Sequence, residues 1–251
     1  MQEYTAHTEE YENLTIKIIQ DTEPQNPREW DNLGTMVCKH SRYNLGDVQM
    51  QQDTAEEYLN DEYNIVEQED QWELPDKEKE KIHKWIDKNL VILPLYLYDH
   101  GGITMSTGSF SCQWDSGQVG FIYIDREKMK KEYSVKYLTK KFREKIAGYL
   151  KNEVKEYDQY ITGDCYGYTI ENEDEEDLDS CWGFFGLEYC TQEAQAAAKA
   201  TYNHIIEEQK KEHEQTKRGH FEQVKTWIKN HVPLQYRTAL SMESKLGRCR
   251  G

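Results

Sequence analysis

Leu90-Val-Ile-Leu-Pro-Leu-Tyr-Leu-Tyr98 runs into Asp99-His-Gly-Gly102 and then Ile103-Thr-Met-Ser-Thr107. The first run has strand length, is rich in β-branched and aromatic residues, and ends in turn formers. The paired glycines let Ile103–Thr107 return antiparallel. Ser109–Trp114, Asp115-Ser-Gly117 and Gln118–Ile124 repeat the strand–turn–strand pattern and predict a second hairpin. Together these segments predict an antiparallel sheet of three or four strands.

Helices are expected on either side of that sheet. Asp76 is the predicted N-cap of a helix running to Asn89, with Ile82, Trp85 and Ile86 on one face. Val135–Tyr157 has the clearest helical period: Leu138, Phe142, Ile146, Tyr149, Leu150, Val154 and Tyr157 recur at spacings of three and four and form an apolar stripe. Upstream, Leu14–Ile19 and Leu33–Cys38 read as strands and Gln49–Asn60 as a weak helix, while Asp61–Leu74 shows no clear period.

Downstream, Tyr160–Glu171 predicts a glycine-interrupted strand, residues 171–179 an acidic loop, and Cys181–Tyr189 a partner strand. Thr191 is the predicted cap of a long helix reaching about Arg218, Gly219 its break, and His220–His231 a last amphipathic piece before Pro233. No repeat or linker divides the chain. The expected architecture is one α+β domain over 1–251, an antiparallel sheet packed against several helices, with an acidic part (1–76) and a helical C-terminal part (191–231).

Composition narrows the function classes. The 18 Tyr and 6 Trp argue for folding, since disordered chains are poor in aromatics. No apolar run approaches the roughly 18 residues of a membrane span, and Met1-Gln-Glu-Tyr-Thr-Ala6 lacks the basic start and apolar stretch of a secretory signal. The expected location is the cytoplasm, where the six scattered cysteines stay reduced.

The net charge of −16 is unevenly placed. Residues 1–76 hold 19 acidic residues against Lys17, Arg28, Lys39 and Arg42, whereas the remaining residues are close to balance. Val48–Asp76 has ten carboxylates and no Lys or Arg, and Glu171–Asp179 has seven acids in nine positions. From Lys199 onward eleven bases face six acids. Two readings are open: solvated surfaces that keep the chain soluble, or an ordered acidic face that imitates a phosphate backbone. The second would use Asp53, Glu56, Glu57, Asp61, Glu62, Glu173, Asp174, Glu175 and Glu176. Direct DNA binding by the acidic half is excluded by like-charge repulsion.

Phosphate loops, dinucleotide fingerprints, His-Glu-x-x-His and Gly-x-Ser-x-Gly motifs are all missing from the sequence. Asp99-His100-Gly101-Gly102 reads either as a turn or as a general base beside flexible backbone. Cys38-Lys-His40 with Cys165, or Cys181 with Cys190, lacks the close ligand pairs of a structural zinc site, so neither metal nor cofactor is expected. Arg28, Trp30 and Asp31 in one turn-rich segment, and Asp164 in another, could join Asp99 and His100 in a ligand site. Equally, Trp30 fills the core and Arg28 pairs a carboxylate.

Asn26-Pro-Arg-Glu-Trp-Asp-Asn-Leu-Gly-Thr-Met-Val-Cys38, Tyr43-Asn-Leu-Gly-Asp47, Asp158-Gln-Tyr-Ile-Thr-Gly-Asp-Cys-Tyr-Gly-Tyr168 and Asp179-Ser-Cys-Trp-Gly-Phe-Phe-Gly186 together resemble a family of acidic proteins encoded by phages and plasmids. The resemblance carries no catalytic residues. It implies expression in a bacterial host and a role similar to anti-CRISPR or anti-restriction proteins, with a basic nucleic-acid-binding host protein or ribonucleoprotein complex as partner. The alternatives are a ligand-binding protein or enzyme, and a regulatory protein that self-associates through its C-terminal helix.

Overall fold

Thr5–Tyr11 (β1) and Leu14–Gln20 (β2) open the chain as a hairpin in the computed structural model, which describes residues 4–67, 75–112, 114–135, 137–234 and 236–237. β2 alternates buried Leu14, Ile16 and Ile18 with partly exposed Thr15 and Lys17, the period of a strand with one face covered. β1, rich in polar residues and only weakly alternating, was not expected from the sequence. It is an edge strand held by β2.

A 3-10 turn at Pro27–Glu29 leads to Thr35–Cys38 (β3) and the short Val48–Gln49 (β4). Ala55–Tyr63 (α1) begins with a full capping box: Thr54 Oγ1 accepts from the Glu57 N–H at 3.2 Å, and Glu57 reaches back to the Thr54 N–H. Asp76–Asn89 (α2) starts at Pro75, whose extended backbone precedes the first turn; Asp76 is the first helical residue, not the N-cap. Of the unassigned stretch Asp61–Leu74, residues 61–63 belong to α1 and 68–74 lie outside the described residues.

Leu90–Asp99 (β5), Ile103–Ser106 (β6), Ser116–Asp125 (β7), Arg126–Tyr133 (α3) and Lys140–Thr162 (α4) follow. β5 and β6 pair around the predicted turn. The second hairpin does not form: residues 109–112 and Trp114 are irregular, and β7 pairs with β5 and β3 instead. The sheet has five strands in the order β4-β3-β7-β5-β6, antiparallel except for β3–β4. β7 is apolar on both faces, which suits a central strand covered twice.

The expected helix at Val135–Tyr157 begins later. Asp125 caps α3, Ser134 ends it in a left-handed conformation, and Thr139 caps α4. Ile146, Leu150 and Val154 of α4 are buried against Met36, Leu95 and Ile122 on one face of the sheet. α1 and α2 cover the other face, where Leu59 meets Val37, Phe121 and Tyr123. Each fully buried aliphatic side chain here is worth about 1.5–3 kcal/mol relative to exposure.

α4 extends to Thr162, past the point where a strand was expected, and Gly163 (φ 75°) ends it. Cys165–Glu171 (β8) and Asp177–Phe185 (β9) complete a second, four-stranded antiparallel sheet, β1-β2-β8-β9. Most of the expected acidic loop is the turn and outer strand of this hairpin.

Leu187–His231 (α5) is one continuous helix of 45 residues. Gly186, at φ 93°, is its N-cap; Thr191 lies in the second turn, and Gly219 does not interrupt it. Cys190, Ala194 and Ala198 lay the first half of α5 on the four-stranded sheet, against Leu14, Ile16, Ile18 and Ile170. The fold is thus α+β, with antiparallel sheets packed against five helices and a long C-terminal helix. Among the described residues, no helix is long and apolar enough to cross a membrane.

Candidate functional site

Two surfaces gather the residues singled out in the sequence. The first is one end of the four-stranded sheet. Thr15 of β2 lies opposite Glu171 of β8, so the β1–β2 and β8–β9 turns point the same way. This register brings Glu9, Glu10 and Glu12 to the same end of the sheet as Glu171, Glu173, Asp174, Glu175, Glu176, Asp177 and Asp179, with β1 and β9 as its two edges. Within these turns and strand ends the only base is Lys17, and its Nζ is held at 2.6 Å by Glu171. Lys199 of α5 borders Glu9 from the side.

The tip is built, not merely acidic. Asn172 Oδ1 accepts from the Asp174 and Glu176 N–H groups at 3.0 and 2.8 Å, and Glu175 takes a left-handed conformation to close the turn. β9 is the outer strand, exposed from Asp177 to Gly183, and it carries two large apolar side chains into solvent: Leu178 (40% exposed) and Trp182 (46%). Trp182 lies flat over Gly167, where a Cβ would come within 2.3 Å of the indole. An exposed aromatic on an open strand edge, on the same strand as Asp177 and Asp179, has the anatomy of an apolar anchor near a charged rim.

Asp53, Glu56, Glu57, Asp61 and Glu62 sit elsewhere. Asp53 pairs Lys39 at 2.7 Å, Glu56 pairs His83 at 2.7 Å, Glu57 closes the α1 cap, and Asp61 accepts from Gln52 at 2.7 Å. Burial pushes the Glu56 carboxyl up, but its bonds to His83 and to backbone outweigh this, and the net shift is downward. α1, including Glu62, belongs to the five-stranded sheet, so these side chains and the 173–176 tip stand on different sheets.

The second surface is a cleft of about 810 Å³ between the Pro27–Glu29 turn, α4 and the start of α5. Trp30 (46% exposed) meets Phe185 edge-on at 5.6 Å, and Glu156, Gln159, Asp164 and Tyr189 complete the walls. Gln159 Nε2 donates to Asp164 Oδ2 at 3.0 Å, directly under Gly186. Three of the sequence blocks therefore meet here. Its lining combines carboxylates, amides and Lys155, with no Ser, Thr, Cys or His.

Asp99 and His100 are not part of this cleft. Asp99 pairs Arg42, and His100 Nδ1 lies 3.2 Å from Asp115 at an exposed turn, with its own N–H bonded to Gly102 O at 3.0 Å. Arg28 is also absent from it: its side chain is buried and bonded to Asp47, Glu153 and Gly34 O. Asp31 is exposed beside Trp30. Cys38 and Cys190 are buried, which pushes each thiol up to about 12; burial likewise takes Cys165 to about 11. Such thiols are poor nucleophiles at neutral pH. Among the described residues no group of three or more His, Cys, Asp or Glu is placed to hold a metal ion.

What the sequence missed is the share of β1. Glu9, Glu10 and Glu12 carry no local signal that they will join residues 171–179, because that depends on a strand pairing across more than 150 positions. No protein-family model, curated protein or solved structure matches this chain.

Proposed function

We propose that this chain is a non-enzymatic binding protein that occupies the basic nucleic-acid-binding surface of a host defence protein or ribonucleoprotein complex, in the manner of anti-CRISPR or anti-restriction proteins. The observation that carries this reading is the ten-carboxylate end of the four-stranded sheet, with exposed Trp182 on the adjoining edge strand. Duplex DNA presents one charge per roughly 1.7 Å of axis, and a partner built for it is attracted to carboxylates gathered at one end of an ordered sheet. The field steers encounter, and the apolar anchor slows departure. The resemblance of the sequence blocks to phage and plasmid proteins supports a bacterial cytoplasmic setting for this role.

The test is capture from a bacterial lysate across a salt series, followed by displacement of DNA or RNA from the captured protein. Recovery of a basic nucleic-acid-binding protein, lost as salt rises and competed by nucleic acid, is the expected result. A variant carrying Glu173→Lys, Asp174→Lys and Asp179→Lys should keep the fold and lose capture. Binding that survives this reversal removes mimicry as the mechanism.

A further inference from the structure

α5 leaves the body at the carboxylate end, where Tyr202 packs edge-on against Tyr11 at 6.1 Å. Beyond it, every residue from Glu207 to Trp227 is exposed. That stretch is about 30 Å of helix with no sheet beneath it. Most helical stability in proteins comes from a packed face, which this stretch lacks within the chain's described residues.

Its side chains are sorted by face. Ile206, Gln209, His213, Thr216, His220, Val224, Trp227 and His231 recur at steps of three and four, with no Lys, Arg, Asp or Glu among them. Such spacing lines one face of a helix, the kind of face that packs along a second helix. The helix's own ion pairs, Glu208–Lys211, Glu214–Arg218 and Glu222–Lys225, all lie on the opposite side. A helix that only bridged solvent has no reason to strip charge from one face.

Charge also changes along the axis. Residues 207–214 have four Glu against two Lys, whereas 217–229 have Lys217, Arg218, Lys225 and Lys229 against Glu222. The base of the helix is negative and stands beside the carboxylate end of the sheet; the tip is positive. We infer that the seam is covered by a second copy of this chain, running antiparallel. In that arrangement each basic tip lies along the partner's acidic helix base and returns to its carboxylate end. A parallel pair would set tip on tip and bring two acidic bodies together. Centred near Arg218, the antiparallel seam places Trp227 opposite Gln209 and His220 opposite Thr216.

Sedimentation of the full chain over a range of concentrations tests association, and Val224→Glu with Trp227→Glu, both exposed, tests the seam. The expected outcome is a dimer for the native chain and a monomer of unchanged secondary structure for the variant. Orientation is read from spin labels at Glu208→Cys and Lys225→Cys, in a background with Cys112, Cys181 and Cys249 changed to Ser. Mixed labels should be close across the pair, and like labels far apart. A native monomer at every concentration, a dimer that survives the double Glu variant, or short separations between like labels would each overturn the inference.

Discussion

Arg28 grips Asp47 through two parallel hydrogen bonds, Nε to Oδ1 at 2.9 Å and Nη2 to Oδ2 at 2.6 Å. The remaining guanidinium nitrogen donates to Glu153 at 3.0 Å, and Nη2 also reaches Gly34 O at 2.8 Å. Both carboxylates in turn receive backbone N–H groups, Glu153 from Leu33 at 2.7 Å and Asp47 from Met36 at 2.7 Å. One side chain thus ties together the two turn-rich loops and α4. Arg28, which reads in sequence either as a ligand-site residue or as the partner of a carboxylate, is here a buried structural clamp, with only 3% of its side chain exposed.

Arg28→Ala should therefore destabilise the fold strongly. It leaves two carboxylates without their cation, a loss of about 3–5 kcal/mol for a buried pair. Arg28→Lys should recover little of it, because an ammonium cannot reproduce the planar fork. Equilibrium denaturant unfolding of the two variants measures both effects.

Gly186→Ala should cost about 1–3 kcal/mol, the usual range for forcing a side chain into a strained backbone region. The position has φ 93°, and a Cβ there would stand 2.5 Å from Gln159 Nε2. The displaced amide then loses its bond to Asp164. Thermal unfolding gives the cost, and a change in Trp30 fluorescence reports the distorted cleft.

Burial pushes the Glu156 carboxyl above its usual range, the charge of Glu153 adds to this, and Arg28 offsets only part. An acid with a raised folded pKa holds its proton more tightly when folded, so its ionisation opposes folding as pH rises through and above the ordinary carboxylate range. Glu156→Gln should then stabilise the protein at neutral pH and lose that advantage in acid, where the carboxyl is protonated in both states. The side chain is more than a third exposed, so solvent screening holds the gain below about 1 kcal/mol. Melting temperatures of the two proteins across a pH series show the sign directly.

Alkylation should divide the cysteines. Cys181 is exposed on β9, while Cys38, Cys165 and Cys190 are buried with raised thiol pKa values. Iodoacetamide at mildly alkaline pH should modify Cys181 in the native protein and reach the other three only on unfolding. Peptide mass mapping with and without denaturant checks this, and rapid native labelling of Cys38 would contradict its burial.

Thr54→Ala should loosen α1 by about 1 kcal/mol, the usual worth of an N-cap hydroxyl. The bond from Glu57 N–H to Thr54 Oγ1 is lost, while the helix remains anchored through Leu59. Amide exchange in the first turn of α1 should accelerate without a matching change in α4.

Several elements were legible in the sequence because they rest on local pattern. The apolar run Leu90–Tyr98 is a strand by composition and length, and the stripe Ile146, Leu150, Val154 and Tyr157 has one helical face to bury. The end of α2 and the β5–β6 turn follow from the same kind of signal. Each needs only a few neighbouring residues to be decided.

The remainder was settled by contacts between distant residues. β7 joins β5 and β3 and leaves Ser109–Cys112 unpaired, because a strand apolar on both faces gains more at the centre of a sheet than in an edge hairpin. Gly219 is carried within α5, since its cost of about 1 kcal/mol relative to Ala is spread over a helix already nucleated on the sheet. The sequence by itself determined that carboxylates are abundant in 1–76 and 171–179. Only the pairing of β2 with β8 decided which of them share a surface: strand register is set by burial of Ile16, Ile18, Tyr168 and Ile170 under α5, and the charges at the strand ends go where that core takes them.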